Sequence, residues 1–137
     1  MHHTHTISVL VENEFGVLSR VASLFSGRGF NIDSLNVAPT NEDGMSRITI
    51  VTRGDENILE QITKQLNKLI DVIKVIDFTD GSCIERELAL VKVSAEDQDR
   101  AEVLRIVDIF RAKIIDVTPR SYTIEATGNP AKVDAIL

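Results

Sequence analysis

Along the first 80 residues the apolar pattern switches between a strand rhythm and a helix rhythm in the order β-α-β-β-α-β, an order few folds accept. Residues 7–11 (ISVLV) are a short, β-branched-rich run that reads as a strand buried on both faces. From Val17 the apolar residues at 17, 18, 21, 22, 24 and 25 form the stripe of an amphipathic helix over 16–26, and Gly27 and Gly29 supply its stop. Residues 31–38 (NIDSLNVA) and 46–52 (SRITIVT) read as strands around Pro39-Thr40-Asn41-Glu42-Asp43-Gly44, a run dense in turn formers. Asp55 is placed to cap a helix whose Ile58, Leu59, Ile62, Leu66, Leu69 and Ile70 share one stripe, and residues 72–78 (VIKVIDF) make a further strand.

These six elements match the split βαβ unit of ferredoxin-like folds, in which right-handed crossovers lay both helices on one face of a four-stranded antiparallel sheet. The expected class is α+β. Around Gly81-Ser82 the pattern restarts, with a strand over 87–94 (ELALVKVS) and a helix over 101–112 carrying Leu104, Val107, Ile109 and Phe110, which Asp97 or Asp99 could cap. Strands at 114–118 and 122–127 flank Pro119-Arg120-Ser121, and a helix opens after Asn129 with Pro130 at its first position. The order repeats although the residues do not, so two tandem βαββαβ domains are expected, residues 1–80 and 81–137, joined at Gly81. The second lacks its last strand. Because the chain stops at Ala135-Ile136-Leu137 inside an apolar helical pattern, further residues are expected to follow 137 in the natural protein.

Composition narrows the function by exclusion. With 43% apolar residues in 137, the chain can build a core, and its net charge of −6 argues against a non-specific grip on nucleic-acid phosphates or anionic lipid. An RNA-binding sheet needs aromatics on its central strands, whereas this chain is 4% aromatic and only Phe78 and Tyr122 fall on expected strands. No apolar run approaches the roughly 20 residues that span a bilayer, and MHHTHTISVLVENE lacks a signal-peptide pattern, which makes the cytoplasm the default. Cys83 is the single cysteine, so no internal disulfide exists, and it reads as a structural or exposed thiol.

Catalytic chemistry finds no support. His2, His3 and His5 all lie in the first five residues and read as a frayed terminus, with an adventitious metal at His3 and His5 as the alternative. The folded body is thus expected to offer no histidine base or ligand. The pairs Glu12/Glu14, Glu42/Asp43, Asp55/Glu56 and Glu85/Glu87 fall in turns or at strand ends, where solvated charge is the default. A P-loop, a G-x-G-x-x-G after a strand, a C-x-x-C and an H-E-x-x-H are all missing. The expectation is a chain without catalytic residues, metal or cofactor of its own.

The turn Glu12-Asn13-Glu14-Phe15-Gly16, between the first strand and the first helix, is a different matter. A helix start exposes up to four unpaired N–H groups and a partial positive charge, enough to dock a small carboxylate. Gly16 has no Cβ to keep a ligand from the backbone, and the Asn13 amide can accept from an ammonium or donate to a carboxylate. Asn31 opens the next strand, where an antiparallel neighbour or a symmetry mate could bring it against the same turn. Val17, Leu18 and Ile32 would add a small apolar wall, suiting an α-amino acid with a short aliphatic side chain. The competing account is that Asn13 merely caps the helix and Gly16 relieves a tight turn. Spacing does not decide between them.

Longer segments carry a resemblance. Residues 8–14 (SVLVENE), 16–21 (GVLSRV), 24–35 (LFSGRGFNIDSL) and 37–40 (VAPT), then 59–62, 64–69, 85–88 (EREL) and 110–119 (FRAKIIDVTP), resemble the regulatory, or small, subunit of acetolactate synthase, also called acetohydroxyacid synthase. The likeness covers nearly the whole chain after the His-rich start. It implies an N-terminal ACT domain, and a non-catalytic partner that activates a large catalytic subunit and confers feedback inhibition by valine, in some members by leucine or isoleucine. Thiamine diphosphate, Mg and FAD are expected in that catalytic subunit, none in this chain. In the family, ACT domains pair side by side as a homodimer with the effector at the interface. Carried over, the effector site is Asn13, Glu14, Phe15, Gly16, Val17 and Leu18 of one protomer with Asn31 and Ile32 of the other. Phe15 stands where a smaller residue is expected. The alternative is a free-standing ACT-type amino-acid sensor that regulates a different enzyme.

Overall fold

The computed structural model describes residues 3–78 and 83–137, and the chain divides into two compact units, Met1–Cys83 and Ile84–Leu137. The expected joint at Gly81 lies outside the described residues.

The first unit runs β1 (His3–Glu12), α1 (Val17–Gly27), β2 (Ile32–Pro39), β3 (Met45–Gly54), α2 (Glu56–Asn67) and β4 (Val72–Asp77). The sheet is antiparallel throughout with order β2-β3-β1-β4, so β1 and β3 are central and β2 and β4 are edges. Ile7, Val9 and Val11 of β1, Ile48 and Ile50 of β3, Val17, Val21 and Phe25 of α1, and Leu59, Ile62 and Leu66 of α2 form the core. Alternation along the strands puts one set of side chains under the helices, and a 3-to-4-residue spacing along each helix meets it.

Local chemistry explains the helix ends. Asp55 accepts from the Asn57 N–H at 2.9 Å and caps α2 as expected. α1 ends in a Schellman motif: Gly29, at φ +74, lets the Phe30 N–H reach the Phe25 carbonyl at 2.9 Å and its own N–H reach Ser26 at 3.2 Å. Ile70 departs from its expected stripe. It sits beyond the helix end in the turn to β4, almost fully exposed.

The start of the chain corrects the frayed-terminus expectation. β1 begins at His3, and His5 is buried on the core side of the sheet, in register with Thr52. Its Nε2 lies 3.1 Å from the Gly54 carbonyl oxygen, which can only accept, so Nε2–H donates. The polar residues Thr4 and Thr6 concealed a period-2 pattern that continues backward from Val11 through Val9 and Ile7 to His5.

The second unit runs β5 (Glu87–Ser94), α3 (Arg100–Ile109), β6 (Lys113–Val117), β7 (Ser121–Gly128) and α4 (Pro130–Ile136), with sheet order β5-β7-β6. Tyr122, Ile124 and Ala126 of β7 are buried, with Val107 of α3 and Val133 of α4. Asn129 caps α4, accepting from the Lys132 N–H at 2.8 Å, with Pro130 following it. Arg100 ties the start of α3 to β7 and the turn before it. It donates to the Thr118 carbonyl at 2.6 Å, lies 3.3 Å from the Tyr122 hydroxyl and stacks 5.0 Å over that ring. Two expectations for α3 are corrected: Leu104 and Ile109 face outward, and Asp99 occupies the cap position without a side-chain cap bond. The helix starts one residue earlier and ends three earlier than its apolar pattern suggested, and Val107 is its one buried residue.

Candidate functional site

The turn between β1 and α1 is held at its base by two other loops. The Glu12 N–H donates to the Asp71 carbonyl at 2.8 Å, and the Asn13 N–H donates to the Gly44 carbonyl at 2.7 Å. The side chains of Glu12, Asn13 and Glu14 are exposed, and Phe15 is fully so. Gly16 then adopts φ 81, ψ 0, the left-handed conformation, as the N-cap residue of α1. An L side chain tolerates that conformation poorly, and this is where the glycine is required.

The capping account of Asn13 does not hold. Gly16 takes the N-cap, no side chain makes a cap bond, and the first turn contains no acid. Val17 N–H reaches the Glu14 carbonyl at 3.3 Å and Arg20 N–H reaches Gly16 at 3.1 Å. Among the described residues, the backbone N–H groups of Phe15, Gly16, Leu18 and Ser19 have no partner. These four donors, with the positive end of the helix dipole, form a surface that attracts an anion.

The remaining expected residues divide in two. Val17 belongs to the core, so only its neighbour Leu18, partly exposed, offers apolar surface beside the donors. Asn31 and Ile32 lie at the start of β2, at the other end of the sheet. Register places Ile32 opposite Thr52, which faces His5, whereas Pro39 lies opposite Ser46, which faces Val11. Thus Asn31 is separated from the level of the turn by the whole length of β2, about 26 Å at 3.3 Å per residue. One protomer cannot bring Asn13 and Asn31 to the same small molecule. The side-chain amides of both are exposed and without a hydrogen-bond partner among the described residues, while the Asn31 carbonyl accepts from Thr52 Oγ1 at 2.6 Å.

Sequence reasoning missed Arg20 and Asp71. Arg20 donates through Nη2 to Asp71 Oδ2, joining the first turn of α1 to the loop before β4. The detectable signal was an acid isolated between Ile70 and Val72 and a cation four residues after the glycine. A cavity of about 590 Å³ lies at the opposite end of α1, lined by Arg28, Lys64, Lys68 and three amide side chains, and takes no residue from the turn. The expected carboxylate pairs are all exposed. Among the described residues, no group of three His, Cys, Asp or Glu side chains could hold a metal ion, and no helix is long and apolar enough to cross a membrane.

Comparison with known proteins converges on one family. Residues 7–74 match the family model described as AHAS small subunit-like ACT domain, and residues 86–137 match that of the small subunit of acetolactate synthase. The acetolactate synthase small subunit of Mycobacterium avium is 58% identical over 98% of this chain and 80% of its own length. The acetolactate synthase isozyme 3 small subunit of Escherichia coli K12 is 55% identical over 96% of this chain and 80% of its own. The crystal structure of the acetolactate synthase small subunit from Thermotoga maritima superposes with a TM-score of 0.89, at 44% identity, over 98% of this chain and 84% of that one. With these identities and both units matched, the chain belongs to the acetolactate synthase small-subunit family.

Proposed function

We propose that this chain is a non-catalytic, cytoplasmic regulatory subunit that activates the large catalytic subunit of acetolactate synthase and makes it sensitive to valine, or to leucine or isoleucine. The observation that carries the effector reading is the start of α1 without a side-chain cap, with four backbone donors that have no partner among the described residues in a turn that ends in a left-handed glycine. The effector carboxylate takes those donors, and its ammonium takes the Asn13 amide oxygen. Its aliphatic side chain lies against Leu18 and the partner's contribution. Glu14 and Phe15 form the exposed lip.

The position of Asn31 supports a homodimer as the binding unit. β2 is an edge strand whose eight residues are exposed except for Ile32, including Leu35 and Val37 at 41% and 43%. An exposed edge with apolar residues is a template for pairing with another strand. Two copies of one chain related by a two-fold axis through this edge pair antiparallel, which reverses β2 end for end. Asn31 and Ile32 of the second copy then come to the level of Pro39 and Thr40, the end at which the first copy's turn lies. Each site is built from two chains.

The regulatory step is a linkage: the effector favours one arrangement of the dimer and the catalytic subunit another, with a coupling typically of ~1–3 kcal/mol. Reciprocity requires the catalytic subunit to weaken effector binding by the factor by which the effector weakens binding of the catalytic subunit. Calorimetric titration of the chain with valine, leucine and isoleucine, alone and with the large subunit, tests this. Binding is expected for at least one ligand, weakened by Asn13→Ala and by Asn31→Ala. Lack of binding by all three overturns the effector site, and equal affinity with and without the large subunit overturns the linkage.

A further inference from the structure

Asp71 touches the effector turn at both of its ends. Its backbone carbonyl accepts the Glu12 N–H at 2.8 Å where β1 gives way to the turn, and its carboxylate accepts from Arg20 where α1 begins. The residue is buried, its side chain retaining 12% exposure, while the Arg20 side chain retains 47%. The Arg20 guanidinium reaches back along the helix, as long helical side chains do, to the glycine one turn earlier. A Cβ on Gly16 would stand 3.3 Å from its Nη1. The nitrogen nearest the glycine is not the one that donates to Asp71. One nitrogen is anchored and the other lies against the backbone of the turn.

We infer that Arg20 and Asp71 are positioning residues of the effector site, a guanidinium clamp that holds the four donor amides of the turn in their ligand-ready arrangement before any effector arrives. This deepens the reading under "Proposed function" and rests on it for the ligand, though not for the clamp. The need is physical. Phe15, Gly16, Leu18 and Ser19 donate to nothing among the described residues, so no hydrogen bond of their own fixes where those N–H groups point. Backbone bonds within the turn, Val17 N–H to Glu14 and Arg20 N–H to Gly16, shape it, and neighbours hold it in place: Gly44 and Asp71 at the entry, the Arg20 side chain at the exit. A planar fork suits the task better than an ammonium, because its two terminal nitrogens occupy fixed positions on either side of one carbon. The pair also places the Arg20 guanidinium beside Gly16. Asp71 immediately precedes β4, so the clamp connects the turn to the edge strand opposite β2.

The test compares Arg20→Gln, Arg20→Lys, Asp71→Asn and the Arg20→Gln/Asp71→Asn double variant of the full chain by amide hydrogen exchange and valine calorimetry. Expected are exchange at the hydrogen-bonded backbone amides of the turn, those of positions 12, 13, 17 and 20, at least tenfold faster in both Arg20→Gln and Asp71→Asn, and at least tenfold weaker valine binding. Ile48 and Ile50 amides should keep their protection. The double variant should be no worse than either single one, because both remove the same clamp. Arg20→Lys, which keeps the ion pair without the fork, should restore part of the protection and part of the affinity. Unchanged exchange at these four hydrogen-bonded amides overturns the inference, and so does an equal acceleration across the whole unit, which would mark the pair as general scaffolding. If the unaltered chain binds no branched-chain amino acid, the effector reading falls, while the exchange comparison still decides the clamp.

Discussion

The ring of Phe30 fills the space that a side chain on Gly54 would need: a Cβ there would stand 1.8 Å from Phe30 Cε1. Phe30 follows the Schellman turn of α1, and Gly54 ends β3, so their contact closes the end of the first unit away from the turn between β1 and α1. Gly54→Ala is therefore expected to lower stability by about 2–3 kcal/mol, the upper range for overpacking a filled site. Urea denaturation would show it as a lower midpoint at unchanged slope. A loss under 0.5 kcal/mol would mean that the ring moves aside freely.

His5 should matter to the same region. Replacing it with Leu keeps an apolar bulk in the core but removes the donor to the Gly54 carbonyl, at a cost of about 1–2 kcal/mol. Thermal unfolding of His5→Leu should show the loss, whereas a frayed residue would leave the transition where it was.

The helix ends of the two units invite a direct exchange. α3 closes with the same pair of bonds as α1, Ala112 N–H to Val107 at 2.9 Å and Arg111 N–H to Asp108 at 3.2 Å, but Arg111 at φ 55 stands where α1 has Gly29. Arg111→Gly should stabilise the second unit by about 0.5–1 kcal/mol, because glycine adopts that conformation without a Cβ penalty. Gly29→Ala should do the reverse to the first, and calorimetric unfolding of the two variants would rank them.

At the turn before α1, Gly16→Ala meets both a left-handed backbone and the Arg20 guanidinium. The expected result is a stability loss near 1 kcal/mol and a much larger relative loss of valine affinity, measured by calorimetry. Affinity that survives the substitution would argue that the turn does not contact the ligand.

The exposed edge of β2 supplies a test of assembly. Leu35→Lys together with Val37→Lys places charge on a strand already largely exposed, so folding should persist while edge pairing is opposed. Sedimentation should show a monomer, and valine binding should vanish with the dimer. A folded variant that remains dimeric would exclude this edge as the interface.

The element order was legible because each helix and strand carried its own period and its own punctuation: Asp55, Gly29, Asn129 with Pro130, and the turn at 39–44 all act where their chemistry predicts. What escaped was contextual. His5 is a strand residue because Thr52 and Gly54 lie beside it, and those partners are some fifty positions away. Ile109 and Ile70 look like core residues by spacing alone, yet Ile109 is exposed as the last residue of α3 and Ile70 lies beyond the end of α2. The site divides in the same way. Asn13 and Gly16 were visible as a polar break before a helix, although the cap belongs to Gly16 rather than Asn13. Arg20 and Asp71 were not, since an ion pair across 51 positions leaves no local periodicity.

The length of β2 has a consequence for how such a subunit would respond in a cell. With Asn31 and the turn held a strand's length apart, recognition on the proposed reading is second order in the chain itself. At low subunit concentration the dimer dissociates and effector affinity falls with it, whatever the intrinsic strength of each contact. The threshold for sensing valine would then be set partly by gene dosage, and a cell could retune its feedback by making more or less of this chain without altering a residue of the site.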